Sequence, residues 1–337
     1  MKVLIIGAGW YGCHIGNILL EKGVDVCIVD KANTLFSGSS SKNQNRLHLG
    51  FHYPRSKETM DECLSGYYAF LNLYSHLTER FDKNLYFISS KQSCMSMTSY
   101  IDTMSNHCDK FKLYTGVLPL AIQKVETTVL EVEERYIDPT KSTEHFKQRL
   151  YPHFKTIDDP SVFTSIDSIC QASGDSYDLV VNCTYNMLNP IQFDHYELFV
   201  TLLYKINSPE TFAYTIMDGP FFSIYPYDID NRIYTVTSVT HGVAYKGLSA
   251  DCTLSSEDLQ TIIQNMDKQI VEYIPDWKSV AQYESYYTSW KTKHDSKTDD
   301  RSLKHSYENG IVNIYGGKIT GIFDAERIVL SILKEHR

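Results

Sequence analysis

Apolar residues along the 337-residue chain fall into two patterns that mark its elements. Val3–Ile6 is an unbroken aliphatic run, the pattern of a strand buried on both faces. Ile15, Ile18 and Leu19 then recur at helical spacing, and Lys22–Gly23 supplies a stop. Val24–Val29 returns as a second buried strand and ends on Asp30. Further on, Lys57–Leu77 predicts a helix with Cys63, Tyr67, Phe70, Leu71 and Tyr74 on one face. Leu85–Ser89 predicts a strand, Ser99–Phe111 a helix, and Val117–Glu134 more strands. A turn at Tyr136–Asp138–Pro139 feeds an amphipathic helix over Ser142–Leu150, with Thr140 or Lys141 at its start. Asp178–Cys183 is again continuously apolar and is expected beside Val3–Ile6 in one parallel sheet.

From about residue 194 to 299 the period changes to strands with aromatic alternation. They are predicted at Leu198–Ile206, Phe212–Met217, Phe221–Tyr225, Arg232–Thr237 and Ser279–Trp290, with one helix, Glu257–Tyr273, among them. Lys291–Arg301 is highly charged and reads as a surface loop. Gly310–Tyr315 closes as a strand, Gly316–Gly317 as a tight turn and Thr320–Lys334 as a helix. No repeat or low-complexity linker separates the two patterns, so the fold class is α/β, with a parallel nucleotide-binding lobe interleaved with a mainly antiparallel sheet lobe.

Gly7, Gly9 and Gly12 follow the first strand at once, in G-x-G-x-x-G spacing. Such glycines allow a tight turn, a close backbone approach to a pyrophosphate, and close packing of helix on strand. The helix that opens there offers free N–H groups and the positive end of its dipole to phosphate. Asp30 falls about twenty residues past Gly7, where a carboxylate accepts from a ribose diol. The next loop, LFSGSSSKNQNRLHLGFHYPRS, alternates Leu47, Leu49 and Phe51 with polar residues, which implies partial burial. Its Ser39, Ser40 and Ser41 suit helix capping or phosphate binding.

Composition narrows the classes. A net charge of −9 opposes a non-specific nucleic-acid surface, which needs clustered Lys and Arg. Eight cysteines without a C-x-x-C pair read as ordinary thiols in a reducing compartment, and no metal cluster is expected. No run approaches the roughly 20 apolar residues of a membrane span, so a cytoplasmic protein is expected. The 25 tyrosines suit either a sheet-rich lobe or an aromatic-lined cavity.

Three segments carry a resemblance: GAGWYG with Asp30, the loop SSSKNQNRLHLGFHYP, and the terminal GGKITG. Together they resemble the D-amino-acid oxidase superfamily of FAD-dependent oxidoreductases. Asn43, His48, Gly50 and Tyr53 are similar to a loop pattern of L-2-hydroxyglutarate dehydrogenase. Gly316, Gly317, Lys318 and Thr320 are similar to the Gly-Gly-Lys turn of FAD-dependent glycerol-3-phosphate dehydrogenase. One departure stands out: Cys183–Thr184–Tyr185 occupies the place of the superfamily's Ala-x-Gly strand end.

The resemblance implies a Rossmann-like FAD-binding domain in segments 1–84, 131–193 and 300–337, interleaved with a substrate domain in segments 85–130 and 194–299. It implies that Gly7, Gly9, Trp10, Tyr11, Gly12, Asp30 and Lys31 hold the adenosine end and pyrophosphate of FAD. Ser39, Ser40, Asn43 and Arg46 would line the middle of the cofactor, and Gly316, Gly317, Lys318 and Thr320 its pyrimidine edge. The implied reaction is hydride transfer to flavin N5 from a CH–NH or CH–OH carbon. The substrate would be a small amino or hydroxy acid, or an amino- or hydroxy-bearing sugar or nucleotide.

Such a reaction needs a base, and His48 is the first candidate, His241 the second. Arg301 is either a carboxylate-binding arginine or part of a surface salt bridge. Tyr225, Tyr227, Tyr286 and Tyr287 either line the pocket or pack the sheet. Competing readings are an amine oxidase acting on a modified nucleotide, a non-catalytic flavin- or nucleotide-binding scaffold, and an NAD(P)-dependent enzyme. The expected partner is a small molecule; oligomeric state is open.

Overall fold

The computed structural model describes residues 1–157, 159–191, 194–293 and 301–335. Its first sheet is built around β1 (Lys2–Ile6), which pairs in parallel with β2 (Asp25–Val29) on one side and Leu179–Asn182 on the other. Ile311–Tyr315 extends the parallel array beyond Leu179–Asn182, and Lys304–Glu308 closes the edge antiparallel. Alternate residues of β1 enter different cores. Val3 and Ile5 pack with α1 (Trp10–Glu21), whereas Leu4 and Ile6 pack with Ile166, Ile169 and Leu188. A strand covered on both faces has no position for a polar residue, which is why its sequence is a continuous apolar run.

The helices on the α1 face are fixed by local signals. Ser56 caps α2 (Lys57–Tyr74) by accepting from Thr59 N. Asp138 caps Pro139–Leu150 by accepting from Thr140 N and Lys141 N, with proline at the first helical position. The buried His14 of α1 joins Tyr74 Oη (2.8 Å) to Glu326 Oε2 (3.1 Å), tying α1 to α2 and to the C-terminal helix Ile322–Glu335.

Among the described residues the second sheet has nine strands, including His195–Ile206, Phe212–Met217, Phe222–Asp228, Ile233–Ser238 and Ala281–Lys293. Its two faces differ in chemistry. Leu202, Phe212, Tyr214, Ile224 and Val236 pack with Ile262, Met266 and Ile270 of the helix Ser256–Tyr273. Register places Tyr86, Thr215, Ser223 and Thr237 side by side on the other face, with Tyr225 beside Thr235. That hydroxyl-rich face receives the loop after β2.

The structure departs from the sequence expectations at four places. Of Val117–Glu134, Leu130–Val132 is a strand and most of the rest is irregular. Phe212–Met217 pairs in parallel with Lys83–Ile88, inside an otherwise antiparallel lobe. Several strands lack an expectation: Val243–Gly247, Lys304–Glu308 and the short Arg46–Leu47, Thr78–Glu79, Phe111–Leu113 and Arg135–Ile137. Lys291–Lys293 continues a strand rather than starting the charged loop, and residues 294–300 of that loop lie outside the described residues. Among the described residues, no helix is long and apolar enough to cross a membrane, and no group of His, Cys, Asp or Glu could hold a metal ion. All eight cysteines are free thiols.

Candidate flavin and substrate site

The first glycine turn forms where β1 ends. Gly7 has φ +103°, and a Cβ there would lie 2.7 Å from the Cys183 carbonyl oxygen of the neighbouring strand end. A Cβ on Gly12 would collide with the Gly7 carbonyl, so α1 can begin directly against the turn because Gly12 has none. Gly9 caps α1 without a side-chain bond, and no acidic residue occupies the first helical turn. That helix end keeps its positive character. Ser40 Oγ accepts from Trp10 N at 2.9 Å. Asp30, at the carboxyl end of β2, accepts from Ala8 N (2.7 Å) and Ala32 N (2.9 Å). Burial raises its pKa, and those backbone donors oppose the rise.

The C-terminal glycine turn packs against the first. Tyr11 Oη donates to the Lys318 carbonyl at 2.7 Å, and Gly316 leaves the room that this phenol occupies. The Lys318 side chain is buried, with Nζ on the Arg301 carbonyl and 3.2 Å from Glu62 Oε1 of α2. Glu62 Oε2 accepts from Leu303 N, and Thr59 Oγ1 accepts from Arg301 N. The departure at the strand end also has a conformation. Tyr185 has φ +57°, the left-handed region a glycine would occupy, and its ring packs near Gly317 and Tyr315.

The loop after β2 spans both lobes. Asn43 folds it locally, donating to the Ser39 and Ser40 carbonyls and accepting from Asn45 N. Ser39 Oγ donates to the Trp290 carbonyl, and Tyr287 Oη to the Asn43 carbonyl. Gln44 docks on the hydroxyl face through Thr235 and Ser223, each at 3.1 Å. The two-residue strand Arg46–Leu47 pairs with Arg135–Ile137, sending Leu47 and Leu49 into the core and Arg46 and His48 to the other side.

His48 is buried, with Nδ1 unpartnered among the described residues. Burial, helped by the charges of Lys318 and Arg46, lowers its pKa to about 3. Arg46 Nη1 reaches Thr215 Oγ1 (2.9 Å) and His52 Nε2 (2.5 Å), and its guanidinium lies 4.2 Å from the centre of the Tyr225 ring. Behind it, His52 Nδ1 meets Tyr86 Oη at 2.7 Å, and Tyr86 Oη donates to Glu134 Oε2 at 2.9 Å.

A family model described as FAD dependent oxidoreductase matches residues 2–145. The chain is 28% identical to the FAD-dependent monooxygenase FPY4 of Fusarium mangiferae, over 98% of this chain and 90% of that protein. It shares its fold with glycine oxidase from Bacillus cereus, at 13% identity and TM-score 0.69, covering 100% of this chain and 95% of the other. L-alpha-glycerophosphate oxidase from Mycoplasma pneumoniae, solved with FAD bound, is as similar: 13% identity and TM-score 0.69, covering 99% and 94%. Over residues 2–145 the chain matches the model of FAD-dependent oxidoreductases, and over its full length it has the fold of flavoenzymes such as glycine oxidase.

The matched family model and the curated relative are described as FAD-dependent, and the residues present fit that cofactor. The fit rests on the α1 terminus, whose first turn holds no acidic residue, the glycine cradle that a Cβ would fill, and unpartnered buried polar atoms on Asn45 and Thr320. The structure brings Gly7, Gly9, Tyr11, Gly12, Asp30 and Ser40 together at one end of β1 and β2, and Tyr11 joins them to Gly316, Gly317 and Lys318. Three other candidates sit as follows. The Trp10 ring is buried among Phe36, Phe70, Tyr74 and Phe146, so what it offers the turn is its backbone N–H. Lys31 is exposed. Arg46 lies against Thr215 and Tyr225 of the second sheet.

The base and carboxylate candidates separate as well. His241 N is held by Ser238 Oγ, which bonds Gln269 on the helix-covered side of the sheet, away from the hydroxyl face. The backbone of Arg301 ties Thr59 to Lys318, and its charge acts on the phenols of Tyr185 and Tyr315. Sequence reasoning missed Gln44, His52, Glu62, Tyr86 and Glu134 as site residues. Nothing about Glu62, Tyr86 or Glu134 in the linear chain sets them apart, because pairing brings them in.

Proposed function

We propose that the protein oxidises a CH–OH or CH–NH carbon of a small amino or hydroxy acid, or of an amino- or hydroxy-bearing sugar or nucleotide. FAD, when bound, takes the hydride at N5. The observation that carries this reading is His48: a buried neutral imidazole with an unspent nitrogen, on the loop that joins the glycine turns to the substrate sheet.

In this reading Gly7, Gly9, Gly12 and the α1 terminus hold the pyrophosphate, with Asp30 on the ribose. Ser39, Ser40 and Asn43 shape the loop along the middle of the cofactor. The Gly316–Lys318 turn would hold the pyrimidine edge of the flavin, and its backbone N–H groups and the Lys318 charge would favour negative charge there. His48 takes the proton from the substrate oxygen or nitrogen. The seam between the loop and the hydroxyl face, made by Gln44 and Arg46, keeps bulk water from that side.

The test is anaerobic addition of 2-hydroxy acids, 2-amino acids and simple aldoses to the yellow protein, followed in the visible spectrum. Bleaching by one class identifies the substrate. A flavin that stays oxidised with every compound, in a protein that retains its cofactor, would favour the scaffold reading. The monooxygenase name of the Fusarium relative supports a second arm, reoxidation by oxygen, read as oxygen uptake after bleaching.

A further inference from the structure

We propose that Lys291, an amine without an ion-pair partner at the junction of the two lobes, is a nucleophile that binds a small aldehyde or 2-oxo acid as an imine. The inference stands apart from the oxidation reading, since it needs the amine and not the flavin. Lys291 belongs to a run that the sequence alone assigns to a charged surface loop, yet it lies inside the strand Ala281–Lys293. Both of its neighbours bond to the lobe of the glycine turns. The Trp290 carbonyl accepts from Ser39 Oγ at 3.3 Å, and the Thr292 carbonyl accepts from Tyr315 Oη at 2.8 Å. Thr292 Oγ1 also donates to the Tyr185 carbonyl at 2.8 Å. The strand is thereby pinned between the loop after β2 and the end of Ile311–Tyr315, and Lys291 sits between the pins.

Alternation fixes the direction of the side chain. Tyr287 Oη donates to the Asn43 carbonyl, so Tyr287, Ser289 and Lys291 leave the strand on the side that faces the loop. Across the strand pair Lys291 stands opposite Glu197. That carboxylate is already engaged: Oε1 meets His195 Nε2 at 3.2 Å, and Oε2 meets Lys293 Nζ at 3.7 Å. Lys291 Nζ lies instead over the buried Phe199, 3.1 Å from the centre of its ring. Among the described residues the amine has neither a hydrogen bond nor an ion pair.

Such an ammonium loses hydration without gaining a counter-ion. Burial lowers its pKa to about 7; Lys293 and Arg301 push the same way, and Glu197 opposes them. The ring face, which favours a cation, holds the amine in place. The free base is then present at neutral pH, the condition under which a lysine desolvated beside other cations becomes nucleophilic. Its lone pair attacks the carbonyl carbon. Both amine hydrogens leave with the carbonyl oxygen as water, a C=N bond replaces C=O, and no oxidant or reductant is consumed. The carbonyl group comes from one of two sources: a carbonyl-bearing substrate, or the product left when a CH–OH or CH–NH carbon is oxidised.

The experiment treats the flavin-loaded full chain at pH 7 with one equivalent of glyoxylate or glycolaldehyde and with cyanoborohydride, which reduces an imine to a stable amine. Peptide mapping by mass spectrometry then locates the added mass. Lys291 should label at least tenfold faster than any other lysine. Lys291→Arg should lose that fast phase while keeping its flavin and its Tm, because a guanidinium keeps the charge and forms no imine. Lys293→Met should slow labelling of Lys291 at least fivefold, because Glu197 is then released to pair with it; an ordinary surface lysine would not respond. Label spread over the exposed lysines without preference for Lys291 would overturn the assignment, and so would fast labelling that is unchanged in Lys293→Met. Should Lys291→Arg fail to fold, the wild-type map and Lys293→Met still decide. The same map on photoreduced protein separates the two sources: labelling of the oxidised protein marks a carbonyl-bearing substrate, and labelling confined to the reduced protein marks a product. A labelled Lys291 beside a flavin that no compound reduces would uphold the imine site and sink the oxidation reading instead.

Discussion

Tyr11 Oη and the Lys318 carbonyl, 307 residues apart in the chain, share a 2.7 Å hydrogen bond. That bond holds the N-terminal glycine turn against the C-terminal one. It makes a single site of two strand–turn–helix units that in sequence lie at opposite ends. Most of the expected behaviour of the protein follows from how the groups around this junction are buried and paired.

The two glycines at the start of α1 should fail differently. A Cβ at Gly9 would lie 2.6 Å from Ser40 Oγ, a side-chain end that can turn aside but then no longer serves Trp10 N. Gly9→Val should therefore fold but emerge colourless after desalting. A Cβ at Gly12 would strike the Gly7 carbonyl, backbone that cannot yield. Gly12→Ala should cost about 3 kcal/mol or more. Visible absorbance beside a urea midpoint distinguishes the two.

Asp30 serves two backbone donors, Ala8 N and Ala32 N. Asparagine keeps one carbonyl oxygen and turns an NH₂ toward the other donor. Asp30→Asn should lose about 1.5–3 kcal/mol of charge-assisted hydrogen bonding and release flavin at least tenfold more readily. Equilibrium dialysis of the flavin checks it.

Lys318 and Glu62 form a buried pair at 3.2 Å. Removing one partner leaves the other charge uncompensated, so Lys318→Met should destabilise by about 3–5 kcal/mol. Adding Glu62→Gln should recover part of that loss, because the orphaned carboxylate is then neutral. Urea denaturation of the four proteins of this cycle gives the coupling directly.

His48 sets a pH dependence with a definite sign. Its folded pKa is about 3 against the ordinary 6.5, so below pH 6.5 the unfolded chain binds a proton that the folded chain refuses. Stability from this group is complete above pH 6.5 and is lost as pH falls toward 3, by about 2 kcal/mol at pH 5. His52 is shifted the same way and adds to the trend. His48→Gln should show a shallower loss between pH 6.5 and 5 in thermal unfolding than wild type; an equal slope would contradict the shift.

The chain by itself determined β1, the glycine turn, α1, β2 and Asp30, because a doubly covered strand and a phosphate turn both demand a particular residue at nearly every position. The helix caps at Ser56 and Asp138 are also local, since their partners lie within three residues. The expected boundary strands of the second sheet fall within a few residues of the observed ones for the same local reason.

What the tertiary structure decided is where the polar side chains meet. Thr215, Ser223 and Thr235 became a face for Gln44 and Arg46 through strand register, and a slip of one residue would have turned them to the other side. His48 and His241 looked alike as base candidates, yet one is buried beside two cations while the other is held in a corner on the helix-covered side. Glu62, Tyr86 and Glu134 joined the site through contacts made across long stretches of chain. Local sequence fixes backbone conformation over a few residues; the field around an ionisable group is the sum over everything packed within several ångströms, and that sum exists only in the folded molecule.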